Sequence, residues 1–172
     1  ESLFSYKGEP LPYMPFCYKH PDYWHMIEKE TKRTGDMINS RKLFDDSETA
    51  HPITEEEMIK IEKIHGTVLL IGAEDDVLWD TAKYICRMEQ RMKEHPHTCS
   101  LESVIYKHGT HFVFPESMLK MMLPIGSGIF IKLAFQAARK YPKECRKARM
   151  DIDQRVKNAI LEWKSAERPI KR

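Results

Sequence analysis

The stretch from Gly66 to Asp80, GTVLLIGAEDDVLWD, decides the fold. Thr67 to Ile71 is a short, β-rich apolar run closed by Gly66 and Gly72. It reads as a strand buried on both faces, the usual state in a parallel sheet. Glu74, Asp75 and Asp76 follow at once, and in open α/β sheets the functional groups stand just past the carboxyl ends of the strands. Ala82, Ile85, Met88 and Met92 then recur at helical spacing, with charged residues around the rest of the cylinder, so residues 80 to 94 read as a helix. Past the turn at His95, Pro96 and His97, the segment Leu101 to Tyr106 reads as a second strand. The unit is βαβ, and the chirality rule makes its strands parallel and its crossover right-handed.

Immediately beyond the second strand comes YKHGTHFVFPE, residues 106 to 116, with His111 on a glycine-containing loop. An acid thus follows one strand and a histidine the next. A histidine acting as general base needs a carboxylate on its far nitrogen to fix the tautomer and stabilise the imidazolium, and Asp76 and His111 stand at the same sheet edge. Spacing alone is equally consistent with Asp75 and Asp76 capping the helix and His111 being an ordinary loop histidine.

GTVLLIGAEDDVLWD with YKHGTHFVFPE, preceded by EKIHGTVLLIG and by YKGEPLPYMPF at residues 6 to 16, resembles the C-terminal domain shared by acyl-CoA thioester hydrolases and bile acid-CoA:amino acid N-acyltransferases. Trp79, three residues after Asp76, matches the acid loop of that family and selects Asp76 over Asp75. The resemblance implies an α/β protein, the C-terminal part of an α/β-hydrolase fold, with parallel strands flanked by helices. It implies Asp76 and His111 as catalytic residues, an acyl-CoA substrate, no cofactor, and water or an amine as acyl acceptor. The chain order nucleophile, acid, histidine of that fold places a Ser or Cys nucleophile before the acid strand.

Two departures stand out. The family writes Gly-Ala-Gly or a relative ahead of the histidine, whereas this chain has His108, Gly109 and Thr110. No G-x-S-x-G elbow occurs anywhere: Gly126, Ser127 and Gly128 are too short for the pattern and follow the histidine, and read as a turn between two helices. The nucleophile is therefore expected upstream of this chain, together with the oxyanion donor that follows it. Glu1 in place of an initiator Met fits the same expectation.

A chain of 172 residues with 41% apolar and 31% charged residues is an ordinary globular composition for one domain. With 28 basic against 26 acidic residues the net charge is +2, which implies no field for nucleic acid. No apolar run reaches the length of a membrane span and no signal-peptide pattern opens the chain, so a cytoplasmic protein is expected. Cys17, Cys86, Cys99 and Cys145 lack C-x-x-C spacing and read as reduced thiols, with Cys86 packing its helix. His95, His97 and Cys99 match no common zinc spacing, so no metal is expected.

In chain order, residues 1 to 16 read as a Pro and aromatic loop lying across apolar surface. Residues 17 to 65 look like a cap over the active site. Within it Pro21 to Lys32 is helix-like, 34 to 52 is loop or short helix, and Thr54 with Glu57 forms a capping box for a short helix bearing Met58, Ile61 and Ile64. Trp24, Met26 and Met58 are candidates to face an acyl chain, and equally to pack on the sheet. Residues 66 to 115 form the acid and histidine βαβ unit. Residues 116 to 172 hold the C-terminal helices: a Met-rich turn or two ending at Pro124, a helix over 129 to 140, and a final helix starting near Asp151 or Asp153.

Two other functions fit the residues: a serine hydrolase of the same fold acting on esters or peptides, and a non-catalytic interaction module. Two strands make too small a sheet to leave VLLI uncovered, so the missing N-terminal half of the same protein, or a second copy of this chain, is the expected partner.

Overall fold

The computed structural model describes residues 4–166. It is a mixed α/β structure in which a two-stranded parallel sheet is packed among seven helices. Strand β3 (Thr67–Ala73) pairs in parallel with β4 (Ser100–Tyr106), with Val68 opposite Leu101 and Ala73 opposite Tyr106. Helix α3 (Thr81–Glu94) makes the crossover. Its N-cap is Asp80, whose carboxylate accepts the Lys83 N–H at 2.9 Å.

Helices cover both faces of β3. Val68 and Leu70 pack with Met88 and Met92 of α3, while Leu69 and Ile71 face helix α7 (Pro142–Ala166) across a cleft shared with Val156 and Trp163. Gly72 is where strand and helix approach most closely: a Cβ there would stand 2.7 Å from Ile85 Cδ1 and 2.9 Å from Thr81 Cβ. The strand is nonetheless not buried on both faces as its sequence predicts. Leu69, Leu70 and Ile71 are only half-buried, because the described residues supply β3 with one neighbour, β4.

Several expected elements take different forms. Residues 5–10 fold as a small antiparallel hairpin instead of an extended loop, β1 (Ser5–Tyr6) with β2 (Glu9–Pro10), turning at Lys7 and Gly8 with φ of 53° and 88°. Helix α1 (Asp22–Thr34) and helix α2 (Arg41–Ala50) pack on each other through Met26, Ile27 and Leu43. Half of the capping box forms, with Glu57 accepting the Thr54 N–H at 2.8 Å, but the Glu57 N–H goes to the Thr54 carbonyl and the helix expected beyond it is only a 3-10 turn, Ile61–Lys63. The segment instead turns around Arg91 of α3, whose guanidinium holds Glu55 at 2.7 and 2.9 Å and Glu62 at 2.6 and 2.8 Å.

After α4 (Glu116–Met122), the helix expected over 129 to 140 is split into α5 (Ser127–Ala134) and α6 (Gln136–Lys140). Phe135 sits at the break in extended geometry, buried against Phe112, and Asp36 accepts the Gln136 N–H at 2.7 Å to start the new helix. Helix α7 begins at Pro142, well before the Asp151 start expected. Its early buried face is Cys145, Ala148 and Arg149, small or charged side chains that a search for bulky apolar spacing passes over. Cys86, expected to pack its helix, is exposed. No single described helix is long and apolar enough to cross a membrane.

Hydrogen bonds from Arg91 lower the carboxyls of Glu55 and Glu62 to about 2, from 4.5. A depressed folded-state value contributes stability above the unfolded value and loses it as pH falls through the folded one. The melting temperature should therefore drop between pH 4.5 and about 2, and Arg91→Met should melt lower at pH 7 with a shallower acid limb. Equal limbs in both proteins would assign the acid sensitivity to other groups.

Candidate active site

The turn after β3 carries the acids, and α2 holds the turn in place. The N–H groups of Ser40 and Arg41 donate to the Val77 carbonyl at 3.0 and 2.9 Å, and Ser40 Oγ donates to the Leu78 carbonyl at 2.8 Å. The Arg41 guanidinium spans the carbonyls of Glu74 and Asp76 and pairs with the Asp80 carboxylate. Arg41 has no motif around it, and its role shows only in three dimensions.

Within this frame Asp76 is fully buried. One carboxylate oxygen, Oδ1, accepts the Leu78 N–H at 2.9 Å, closing an Asx turn. The other, Oδ2, lies 3.1 Å from Nδ1 of His111. A carboxylate only accepts, so Nδ1 carries the proton and Nε2 presents its lone pair. Among the described residues no hydrogen bond from a Ser, a Cys or any other residue reaches Nε2.

Aromatic edges fix the imidazole. Trp79 lies 4.5 Å away edge-on, with Phe112 at 6.0 Å and Phe114 at 6.4 Å. The Trp79 ring in turn touches Phe44 at 5.6 Å, and Phe44 touches Phe16 at 5.3 Å, which ties the N-terminal segment and α2 to the site.

The loop that delivers His111 is unusual in its backbone. Gly109 lies so close over β3 that a Cβ would stand 2.3 Å from Val113 Cγ1 and 3.0 Å from Ala73 Cβ. Thr110 is fully buried at φ 61°, a conformation that non-glycine residues seldom adopt, and its hydroxyl accepts the Phe112 N–H at 3.1 Å. Asp75, the acid passed over by the resemblance, is also engaged. Its Oδ1 accepts the Gly109 and Thr110 N–H groups at 2.9 and 2.8 Å, and its Oδ2 lies 3.2 Å from His108 Nδ1. His108 stacks on Tyr141 with ring centres 3.7 Å apart. Each of the two neighbouring acids therefore serves a different histidine.

Of the other nucleophile candidates, Cys145 is buried. Burial, followed by the nearby Asp75 carboxylate, pushes its thiol up to about 11, so it is inert at neutral pH. Ser127 opens α5 without a bond to His111. His97 Nδ1 turns to the His95 carbonyl and Cys99 is buried with Ile61 and Val68, and no group of three or more metal-binding side chains gathers among the described residues.

An apolar cavity of about 680 Å³ is lined by Trp79 together with Phe44, Met58, Ile59 and Met88 among others. Its charged lining residues are each held by a partner: Arg87 by Glu48, Arg91 by Glu55 and Glu62, and Glu57 by His51. Trp24 and Met26, considered for this surface, lie elsewhere, Trp24 half-exposed and Met26 in the α1–α2 core.

Neither a curated protein nor a solved structure matches the chain. The family model for the BAAT / acyl-CoA thioester hydrolase C terminal matches residues 17–122, more than half of the chain and a span that contains both Asp76 and His111. By that match, the chain belongs to the family of BAAT and acyl-CoA thioester hydrolase C-terminal domains.

Proposed function

We propose that this chain is the acid and histidine part of an α/β-hydrolase-fold domain that transfers an acyl group from a CoA thioester. The observation that carries the reading is the buried Asp76 bonded to His111 Nδ1 at 3.1 Å, at the ends of two neighbouring parallel strands. A Ser or Cys from outside these residues attacks the thioester carbonyl, and His111 Nε2 takes its proton. Asp76 holds the ring and stabilises the imidazolium, and His111 then returns the proton to the CoA thiolate as the acyl group passes to the nucleophile. Water or an amine, deprotonated by the same nitrogen, releases the acyl group in a second step. The sequence has no G-x-S-x-G, and the one backbone N–H of the oxyanion hole that follows the nucleophile comes with it.

The cavity lined by Trp79 supports an aliphatic acyl group as the substrate's tail. It is apolar, in the size range of ligand pockets, and its lining charges are already paired, so it suits a neutral chain and not the CoA phosphates. The unpaired edge of β3 is where further strands extend the sheet, from the N-terminal half of the protein or from a second copy of this chain.

Three outcomes test this. Residues 1 to 172 alone should leave palmitoyl-CoA at the background rate, whereas in the protein that also carries the nucleophile His111→Ala and Asp76→Ala should each lower kcat by about 10³-fold or more. Thiol release by residues 1 to 172 that is abolished by His111→Ala would place a nucleophile within them. Met58→Trp, which fills the cavity, should raise KM for long-chain more than for short-chain acyl-CoA; equal effects on both would remove the cavity from the substrate path. In sedimentation at low micromolar concentration the isolated chain should self-associate. A cooperatively melting monomer would show that its own helices complete the core.

A further inference from the structure

We infer that Asp75 is a positioning residue for His111: it holds the backbone of the histidine loop while Asp76 holds the ring. The inference rests on the acyl-transfer reading for its purpose and on geometry for its content. Asp75 Oδ1 receives two consecutive N–H groups, those of Gly109 and Thr110, at 2.9 and 2.8 Å. The second belongs to the residue at φ 61° that directly precedes His111. A threonine stays at positive φ only where its surroundings over-determine it. The buried Thr110 hydroxyl bonds forward to Phe112, so the pull that fixes its N–H comes from Asp75.

The other oxygen extends the hold. Asp75 Oδ2 meets His108 Nδ1 at 3.2 Å, and His108 stacks flat on Tyr141 at the start of α7. The C-terminal helix is thereby linked through His108 and Asp75 to the loop that carries the base. Gly109 leaves no slack in this path, since a Cβ would strike Val113 and Ala73. Without the Asp75 carboxylate, Thr110 relaxes toward negative φ, and Nδ1 of His111 moves out of reach of a buried Asp76 that cannot follow.

Proton NMR of the 172-residue chain tests this without any turnover. The unaltered protein should show a downfield, exchange-protected resonance from the His111 Nδ1 proton, assigned by its loss in His111→Gln. Asp75→Ala should lose that resonance to exchange while the chain stays folded, and Asp75→Asn, whose Oδ1 still accepts both N–H groups, should keep it. A resonance with unchanged position and exchange rate in folded Asp75→Ala overturns the positioning role and leaves the acyl-transfer reading standing. Absence of the resonance in the unaltered protein overturns the Asp76–His111 pairing itself. Should Asp75→Ala not fold, amide exchange in the unaltered chain decides: strong protection of Gly109 and Thr110 supports the inference, and exchange at free-peptide rates overturns it.

Discussion

A carboxylate with no access to water must find its partners within the protein, and at Asp76 that requirement shapes the whole sheet end. One oxygen is taken by the turn that Asp76 itself closes, which leaves a single direction for the other, toward His111. The turn in turn depends on α2, whose first residues bond the carbonyls of Val77 and Leu78 and whose Arg41 spans Glu74, Asp76 and Asp80. The segment before β3 therefore does more than cover the site, because it fixes the acid loop's backbone and so the direction in which the buried acid points. Loss of either partner would leave one oxygen of a buried carboxylate without a hydrogen bond, a larger penalty than the loss of a surface ion pair.

Close approach is the second constraint. Helix α3 and the histidine loop both press on β3, and small residues make room for each: Gly72 beneath Thr81 and Ile85, Gly109 above Ala73. Thr81 completes the contact by bonding both the N–H and the carbonyl of Ala73 at 3.1 Å. The parallel register then carries the effect across the sheet, since Ala73 is opposite Tyr106 and the two loops leave from the same level. That is why residues 35 apart in sequence meet within hydrogen-bond distance.

These relations were unequally legible in the sequence. The βαβ unit was plain because hydrophobic period, glycine punctuation and chirality all agree on it. The identity of the acid was not, since Asp75 and Asp76 have the same chemistry and adjacent positions. Only the resemblance separated them, and the second function of Asp75 had no signal beyond its being an acid beside another. Of the capping box at Thr54 only the Glu57 half forms, and the helix does not follow; the segment instead ties Glu55 and Glu62 to Arg91 of α3. The start of α7 was missed because its first buried face is made of Cys145 and Ala148, and a helix that packs closely needs small residues where pattern reading looks for large ones.

Charged and apolar surface are sorted around Trp79. Each charged side chain lining the apolar cavity, Glu57, Arg87 and Arg91, is held by a hydrogen-bonded partner, which leaves Phe44, Met58, Ile59 and Met88 among its apolar walls. The same ring packs against the His111 imidazole, whose Nδ1 faces the buried Asp76. Trp79 thus contributes both to the cavity lining and to the packing around His111. Trp79 is held by Phe44, from the very helix that fixes the acid loop. Asp76, His111 and the apolar surface therefore share one support, α2, and a shift of that helix moves the Asp76–His111 contact and the cavity wall together.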